Sequence, residues 1–249
     1  MPNNIKSLER HFRHIELKNF DTAGQEKIQK AEISIVGMGG LGCPSALYLA
    51  GAGIGKIQLI DSDTVEFSNL QRQLLYTPKK IGSKKCNAAA EYLKECNPDI
   101  EVAAVDSRIN AENIESILQH SDLILDATDN FDTRYLLNRY CLRHDKTLVS
   151  GAVTGFNGQL FVFKKNSPCL ECIFPKQPTS AQAPSCNEAP VLSTIAGTIG
   201  MMMATEAIKE IVGFGDSLSG ECVTYNGLNS TMHTIEFPKT KNCPACNAQ

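Results

Sequence analysis

The chain has 249 residues, with 24 basic and 27 acidic side chains for a formal net charge of −3, and ten cysteines. That length suits one large α/β domain or two small ones and can bury a sizeable core. The interspersed charge provides neither a basic field for nucleic acid nor an acidic tail. Met1–Arg10 lacks the apolar core of a signal peptide. Of the two uncharged stretches that approach membrane-spanning length, 33–55 is broken by glycines and Pro44, and 189–205 contains Ser193, Thr194, Gly197, Thr198 and Gly200. The expectation is a soluble, cytoplasmic protein that uses neither membrane nor nucleic acid.

Taken in order, residues 7–17 place Leu8, Phe12 and Ile15 about one turn apart, which predicts an amphipathic helix that also carries Arg10 and Arg13. Those arginines read as a solvated face or as a reach toward a phosphate in a neighbouring subunit. Residues 25–30 are a polar lead-in. The run 33–36 is β-branched and apolar without alternation, as in a buried parallel strand. It breaks into Gly37, Gly39, Gly40 and Gly42, and an uncharged helix over 43–52 follows. Glycine lets backbone approach a ligand closely, and a helix N-terminus offers free N–H groups and a favourable dipole, so Gly37-x-Gly39-x-x-Gly42 fits a phosphate-binding turn. A second strand, 56–60, ends in Asp61-Ser-Asp63. An acid at that strand end, about 20 residues past the glycines, is placed for a ribose hydroxyl; a turn cap is the plainer reading.

The polar segments 68–73 and 82–85 bring Asn69, Arg72, Gln73 and Lys85. Arg72 offers a planar fork and Lys85 a point charge for a triphosphate, although each alone also reads as solvated surface. A helix over 83–96, a break at Pro98 and a strand over 100–105 complete a βαβ unit. The strand 123–125 runs into Asp126-Ala-Thr-Asp-Asn130, carboxylates at the ligand edge of an open sheet. Asp129, with Asp126 beside it, suits a Mg2+ that keeps its waters and bridges to phosphate. Asp129 or Asn130 also suits the cap of a helix over 131–143. A fifth strand covers 148–153. From Gly158 the pattern becomes an antiparallel meander over 159–163, 221–226 and 231–237. Between them lie a Pro/Ser/Gln/Ala-rich loop, 175–188, that holds Cys186, and a buried helix over 191–212 with Pro190 at its start and Gly213 closing it.

Six cysteines are scattered. The other four form Cys169-Leu-Glu-Cys172 and Cys243-Pro-Ala-Cys246. Each C-x-x-C turn has the bite for half of a closed, structural tetrahedral zinc site. A redox pair, disulfides and unligated thiols are the alternatives.

Gly37-Met-Gly-Gly-Leu-Gly42, Asp61 with Asp63, Ser68-Asn-Leu-Gln-Arg72, Gly82-x-x-Lys85, Asp126-Ala-Thr-Asp-Asn130 and the two cysteine pairs occur in the order seen in the ThiF/MoeB/HesA family. These are the bacterial relatives of ubiquitin-activating enzymes. The chain resembles that family from Arg10-His-Phe-Arg13 to its terminal cysteines. The resemblance implies an α/β fold: a Rossmann-like, mostly parallel sheet with helices on both faces, extended by an antiparallel C-terminal segment and a four-cysteine zinc site. It implies one unit with an N-terminal helical segment (1–30), a nucleotide-binding core (31–157) and a remainder (158–249) of antiparallel strands, crossover loop and zinc site.

The activity implied is ATP-dependent adenylylation of the C-terminal glycine of a ubiquitin-like sulfur carrier protein ending in Gly-Gly. The cofactors implied are Mg2+ and Zn2+, with a cysteine desulfurase or rhodanese-type sulfur donor. By motif, Gly37, Gly39, Gly40, Gly42, Asp61, Asp63, Asn69, Arg72, Gln73, Lys85, Asp129 and Asn130 would hold ATP. Arg13 would enter the partner subunit's site of a homodimer, and Cys186 matches a loop cysteine used for sulfur transfer by some relatives. Two departures stand out: Glu188-Ala-Pro-Val191 replaces an Ala-Gly-Val context, and His14 follows Arg13 where glutamine is common. These motifs do not separate a ThiS-like (thiamine) from a MoaD-like (molybdopterin) carrier; segments 46–53 and 155–160 look more like the thiamine branch. The glycine turn and Asp61 would also serve an NAD-dependent oxidoreductase, which leaves Arg72, Lys85 and the cysteine pairs unexplained, or a non-catalytic nucleotide-binding scaffold, against which intact Arg72, Lys85 and Asp129 argue.

Overall fold

The structure is a computed structural model that describes residues 2–178 and 190–247, with side chains from Glu9 onward. Its centre is an eight-stranded sheet ordered β3-β2-β1-β4-β5-β6-β7-β8. The first five strands, β1 (Glu32–Val36), β2 (Lys56–Ile60), β3 (Glu101–Val105), β4 (Leu123–Asp126) and β5 (Thr147–Thr154), pair in parallel. β6 (Asn157–Phe163), β7 (Glu221–Asn226) and β8 (Thr231–Glu236) continue it antiparallel. β5 is the joint, because Thr147–Ser150 pair with β4 while Leu148–Thr154 pair with β6.

The central strands are mostly apolar, with Ser34 and Gln58 as polar exceptions, and residue alternation divides their buried side chains between two cores. Ile33, Ile35, Ile57, Leu59, Leu125, Val149, Leu160 and Val162 face one core with α3 (Gly42–Ala52), α4 (Lys85–Cys96) and α8 (Ser193–Val212). Val36, Ile60, Ile124, Leu148, Phe161 and Phe163 face the other with α5 (Ile114–Leu118) and α6 (Phe131–His144). Each such aliphatic side chain contributes roughly 1.5–3 kcal/mol by leaving water. All six residues of β8 are exposed, Met232 and Ile235 to 52% and 53%, and no second layer covers the strand among the described residues.

The mixed α/β architecture, the mostly parallel sheet and the antiparallel C-terminal extension agree with the sequence reading. Four details differ. α1 runs Pro2–Ile15; among its described side chains His11 is the buried one (4% exposed), whereas Phe12 of the expected apolar stripe is 53% exposed. The polar lead-in proves to be helix α2 (Asp21–Lys30), which buries only Gly24, Gln25 and Ile28, too short a stripe to show as periodicity. α4 begins at Lys85 because the preceding backbone is drawn into pairing with β2's exit: Thr64 bridges Lys84, and Val65 N–H donates to Ser83 O at 2.9 Å. α8 likewise begins at Ser193, not near 191. Gly155 N–H donates to Pro190 O (2.8 Å) and Leu192 N–H to Gly155 O (3.0 Å), which holds 190–192 extended.

Candidate functional site

β1 stands where the strand order reverses, with β2 on one side and β4 on the other, and ligand clefts open outside the carboxyl ends of such strands. The loop leaving β1 has its path dictated by contacts. Gly37 takes φ +92° and donates its N–H to Ile60 O at 2.9 Å, and a Cβ there would meet Ala127 O at 2.7 Å. A Cβ on Gly42 would lie 2.0 Å from Gly37 O, so the two ends of the turn are pressed together and only glycine fits. Tyr76 braces the loop from below, its hydroxyl donating to Met38 O at 2.8 Å; burial pushes that phenol's pKa up, so it stays a donor. Cys43 is an inert buried thiol, pushed up to about 12 by burial against an opposing hydrogen bond with Tyr76. α3 starts at Gly42 without a side-chain cap, but in its first turn Cys43 N–H donates to Gly39 O (3.0 Å), Ser45 N–H donates to Leu41 O (3.2 Å) and Pro44 has no N–H, so an anion would meet the backbone amides of residues 40–42 just ahead of them.

A cleft of about 330 Å³ covers this loop. Gly37, Gly39, Gly40, Asp61, Asp63, Arg72, Gln73, Lys85, Asp129 and Asn130 all line it, drawn from five separate segments of chain. Asp61 joins two of them: Oδ2 accepts from Met38 N at 2.6 Å and Oδ1 from Asp63 N at 2.7 Å. The expected turn cap is therefore present, in a residue that also faces the cleft. Burial raises the Asp61 pKa, opposed by those backbone donors and by Lys85. Lys85, its side chain 7% exposed, pairs with Asp63 at 2.9 Å. Gln73 is 3% exposed and its Oε1 has no partner among the described residues. Asn130 caps α6, its Oδ1 accepting from Thr133 N at 2.9 Å. That cap leaves the Asp129 carboxylate, which makes no hydrogen bond or ion pair among the described residues, to face the cleft.

Two expected ligands of the nucleotide, Gly42 and Asn69, do not line the cleft, and Arg13, expected to serve a partner subunit, does not line its own. Gly42 serves the turn's geometry and is absent from the cleft lining. Asn69 is 5% exposed behind the lining, with Nδ2 3.4 Å from Ser68 Oγ. Arg13 is away from its own cleft, its side chain 90% exposed and paired with Glu16 at 3.3 Å. Cys186 lies outside the described residues.

The support behind the site was not legible in the sequence. Asp126 is no cleft ligand; it is 1% exposed and accepts from Thr128 N (3.1 Å), Thr128 Oγ1 (2.6 Å) and Ser150 Oγ (2.7 Å). Arg134 completes that knot, donating to Thr128 O (2.5 Å), Gly151 O (2.8 Å) and Ser150 Oγ (3.3 Å), and so fixes the loop that presents Asp129. Asp129 and Val153 also line a second, open groove of about 1280 Å³ that runs over β5–β8 past Thr224, Tyr225 and His233.

The four paired cysteines converge. Cys169 Sγ is 3.5 Å from Cys243 Sγ, Cys172 Sγ is 3.6 Å from Cys246 Sγ, and all four sulfurs lie within 4.8 Å of one another. Zn–S bonds of about 2.3 Å set tetrahedral edges near 3.8 Å, so this donor set fits a zinc ion, and none of the four is in a disulfide. The first pair is held by α6. Glu171, 1% exposed, takes a two-pronged hydrogen bond from Arg139 (2.7 and 2.8 Å), and Leu170 N–H donates to Asn138 Oδ1 at 3.2 Å.

A family model described as the ThiF family matches residues 11–245. The chain is 42% identical over 246 residues to the "Adenylyltransferase and sulfurtransferase MOCS3" of Culex quinquefasciatus, covering 98% of this chain but 56% of that protein, so it spans about half that relative's length. It is 38% identical over 247 residues to the "Sulfur carrier protein adenylyltransferase" of Thermus thermophilus, covering 97% of this chain and 91% of that one. Among solved structures, Escherichia coli MccB with MccA-N7isoASN superposes with a TM-score of 0.81 at 19% identity, over 98% of this chain and 81% of the other, which is a likeness of fold.

Proposed function

The chain belongs to the ThiF family, and on that premise we propose that it adenylylates the C-terminal glycine of a ubiquitin-like sulfur carrier protein. A carboxylate is already ionised at neutral pH and needs no base. Its oxygen bonds to the α-phosphorus of ATP while the bond to the bridging β-phosphate oxygen breaks, and pyrophosphate leaves with that electron pair. What the protein must supply is alignment and charge. The cleft suits this. The backbone amides of residues 40–42 ahead of α3 and the Arg72 fork take phosphate oxygens, and Lys85 turns its ammonium from Asp63 to the incoming anion. Asp61 receives the ribose.

Asp129 would hold Mg2+, which when bound offsets charge on the phosphates. Cys169, Cys172, Cys243 and Cys246 would hold a structural zinc that ties the segment after β6 to the C-terminal turns. Asp129 sits where the cleft meets the groove over β5–β8, and that single juxtaposition best supports a carrier substrate. A flexible tail laid along the groove would deliver its carboxylate beside the phosphates.

The relatives' names add support: the Thermus protein is called an adenylyltransferase of a sulfur carrier protein. On the same reading the chain works in the cytoplasm as a homodimer with Arg13 reaching the partner's cleft, a sulfur donor follows it, and residues 1–249 act as one unit. We place the carrier nearer the thiamine branch than the molybdopterin branch. Carrier-dependent ATP–pyrophosphate exchange with purified ThiS-like and MoaD-like proteins tests the activity. No exchange with any glycine-ending carrier, from folded protein containing zinc, would sink it.

A further inference from the structure

We propose that Arg108 forms the outer wall of a base-binding subsite at the carboxyl end of β3, its guanidinium stacking on the purine of the nucleotide; this rests on the nucleotide reading above. The strands lie side by side as β3-β2-β1, and their carboxyl ends line the cleft in that order. The phosphate groups belong over the β1 loop and the ribose over Asp61 at the end of β2. One strand further out, about 5 Å on, comes the end of β3, where Ser107, Arg108 and Ile109 line the same cleft. What lies beyond a ribose in the direction away from its phosphates is the base.

The chemistry of that end suits a flat aromatic ring. Ile109, Val36 and Ile60 line the cleft there, 5%, 4% and 1% exposed, and together make an apolar floor. Arg108 lines the cleft beside them, is exposed, and among the described residues its guanidinium has no ion-pair or hydrogen-bond partner. The nearest acid in sequence, Asp106, is committed to Lys84 at 3.0 Å. The backbone that carries Arg108 is fixed: Asn113 Nδ2 donates to Ser107 Oγ (3.1 Å) and to Arg108 O (3.0 Å), while Asn113 Oδ1 accepts from Asn110 N (2.8 Å). The turn is braced before binding, and only the side chain has to settle. A guanidinium plane stacks on aromatic faces, and nucleobases are bound that way elsewhere. On the nucleotide reading, Arg72 and Lys85 in the same cleft already take the phosphate role.

The test compares ligands by isothermal titration of the full-length protein with ATP, CTP and inorganic tripolyphosphate. For Arg108→Ala, an exposed substitution, ATP affinity should fall about tenfold, CTP affinity should fall less, and tripolyphosphate affinity should stay at the wild-type value. Arg108→Lys keeps the charge without the plane and should restore only a minor part of the ATP affinity. Equal losses for ATP and tripolyphosphate, or unchanged ATP affinity, would overturn the assignment and leave the nucleotide reading standing. Wild-type protein that binds no ATP would overturn both.

Discussion

Arg134→Met tests the knot behind the site. Methionine keeps most of the side-chain length and removes the three hydrogen bonds to Thr128 O, Gly151 O and Ser150 Oγ and the positive charge 3.8 Å from Asp126. The Arg134 side chain is 10% exposed and that of Asp126 1%, so water cannot replace what is lost. Removing one partner of a buried charged pair costs about 3–5 kcal/mol. Asp126 keeps its three donors from Thr128 and Ser150, which places the expected loss at the low end, about 3 kcal/mol. With a urea slope of about 3 kcal/mol/M, the unfolding midpoint should move down by about 1 M. The chain contains no tryptophan, so far-UV circular dichroism is the readout. Asp126→Asn in the same chain removes the orphaned charge, and the double variant should recover at least about 1 kcal/mol relative to the sum of the singles. A loss under about 1 kcal/mol, or strict additivity with Asp126→Asn, would refute the claim that these two charges hold the loop.

Gly42→Ala drives a methyl to 2.0 Å from Gly37 O, so the loop must open. Destabilisation of about 3 kcal/mol or more and loss of ATP binding are expected. Gly51→Ala, in the same helix but exposed with nothing within 4 Å, should instead stabilise by about 0.5–1 kcal/mol in the same urea titration. Burial, then the charges of His14 and Arg10, hold the pKa of His11 below its usual value, with Asp99 opposing. The folded state therefore binds fewer protons than the unfolded one, and stability should fall as pH drops below about 6.5, by at most about 1.4 kcal/mol per pH unit. His11→Asn should flatten that acid limb in melting curves taken from pH 7 to pH 5, and an unchanged slope would exclude His11 as its source. Freshly purified protein should contain close to one zinc per chain, and Cys172→Ser should lose it. Glu171→Gln, which loosens the grip of Arg139 on the first cysteine turn, should speed chelator-driven zinc release by about 10–100-fold.

Much of the fold could be read along the chain because its signals are local. Residues 33–36 and 123–125 are largely apolar without clear alternation, which fits strands covered on both faces, whereas 56–60 carries Lys56 and Gln58 among its apolar residues. The cysteine spacing foretold a four-sulfur cluster that the structure assembles from segments more than 70 residues apart. The cleft residues stood out for the same reason: glycines after a strand, and acids at strand ends.

Other features depend on partners far away in sequence. α4 and α8 start late because Lys84 and Val191 are captured by Thr64 and Gly155, a competition no local propensity records. Asp126 and Asp129 are three residues apart and look alike in sequence. Only the fold sends one into the Arg134 and Ser150 network and leaves the other facing the cleft. Arg108 and Glu171 read as ordinary surface charges until β3 brings the first to the cleft and α6 packs Arg139 against the second. The sequence by itself determined which strands and turns form and which chemistry they can carry. Tertiary structure decided which charges are left unpaired at the cleft and which are consumed in holding it, because pairing depends on distances of a few ångströms between elements whose order in the sheet differs from their order in the chain.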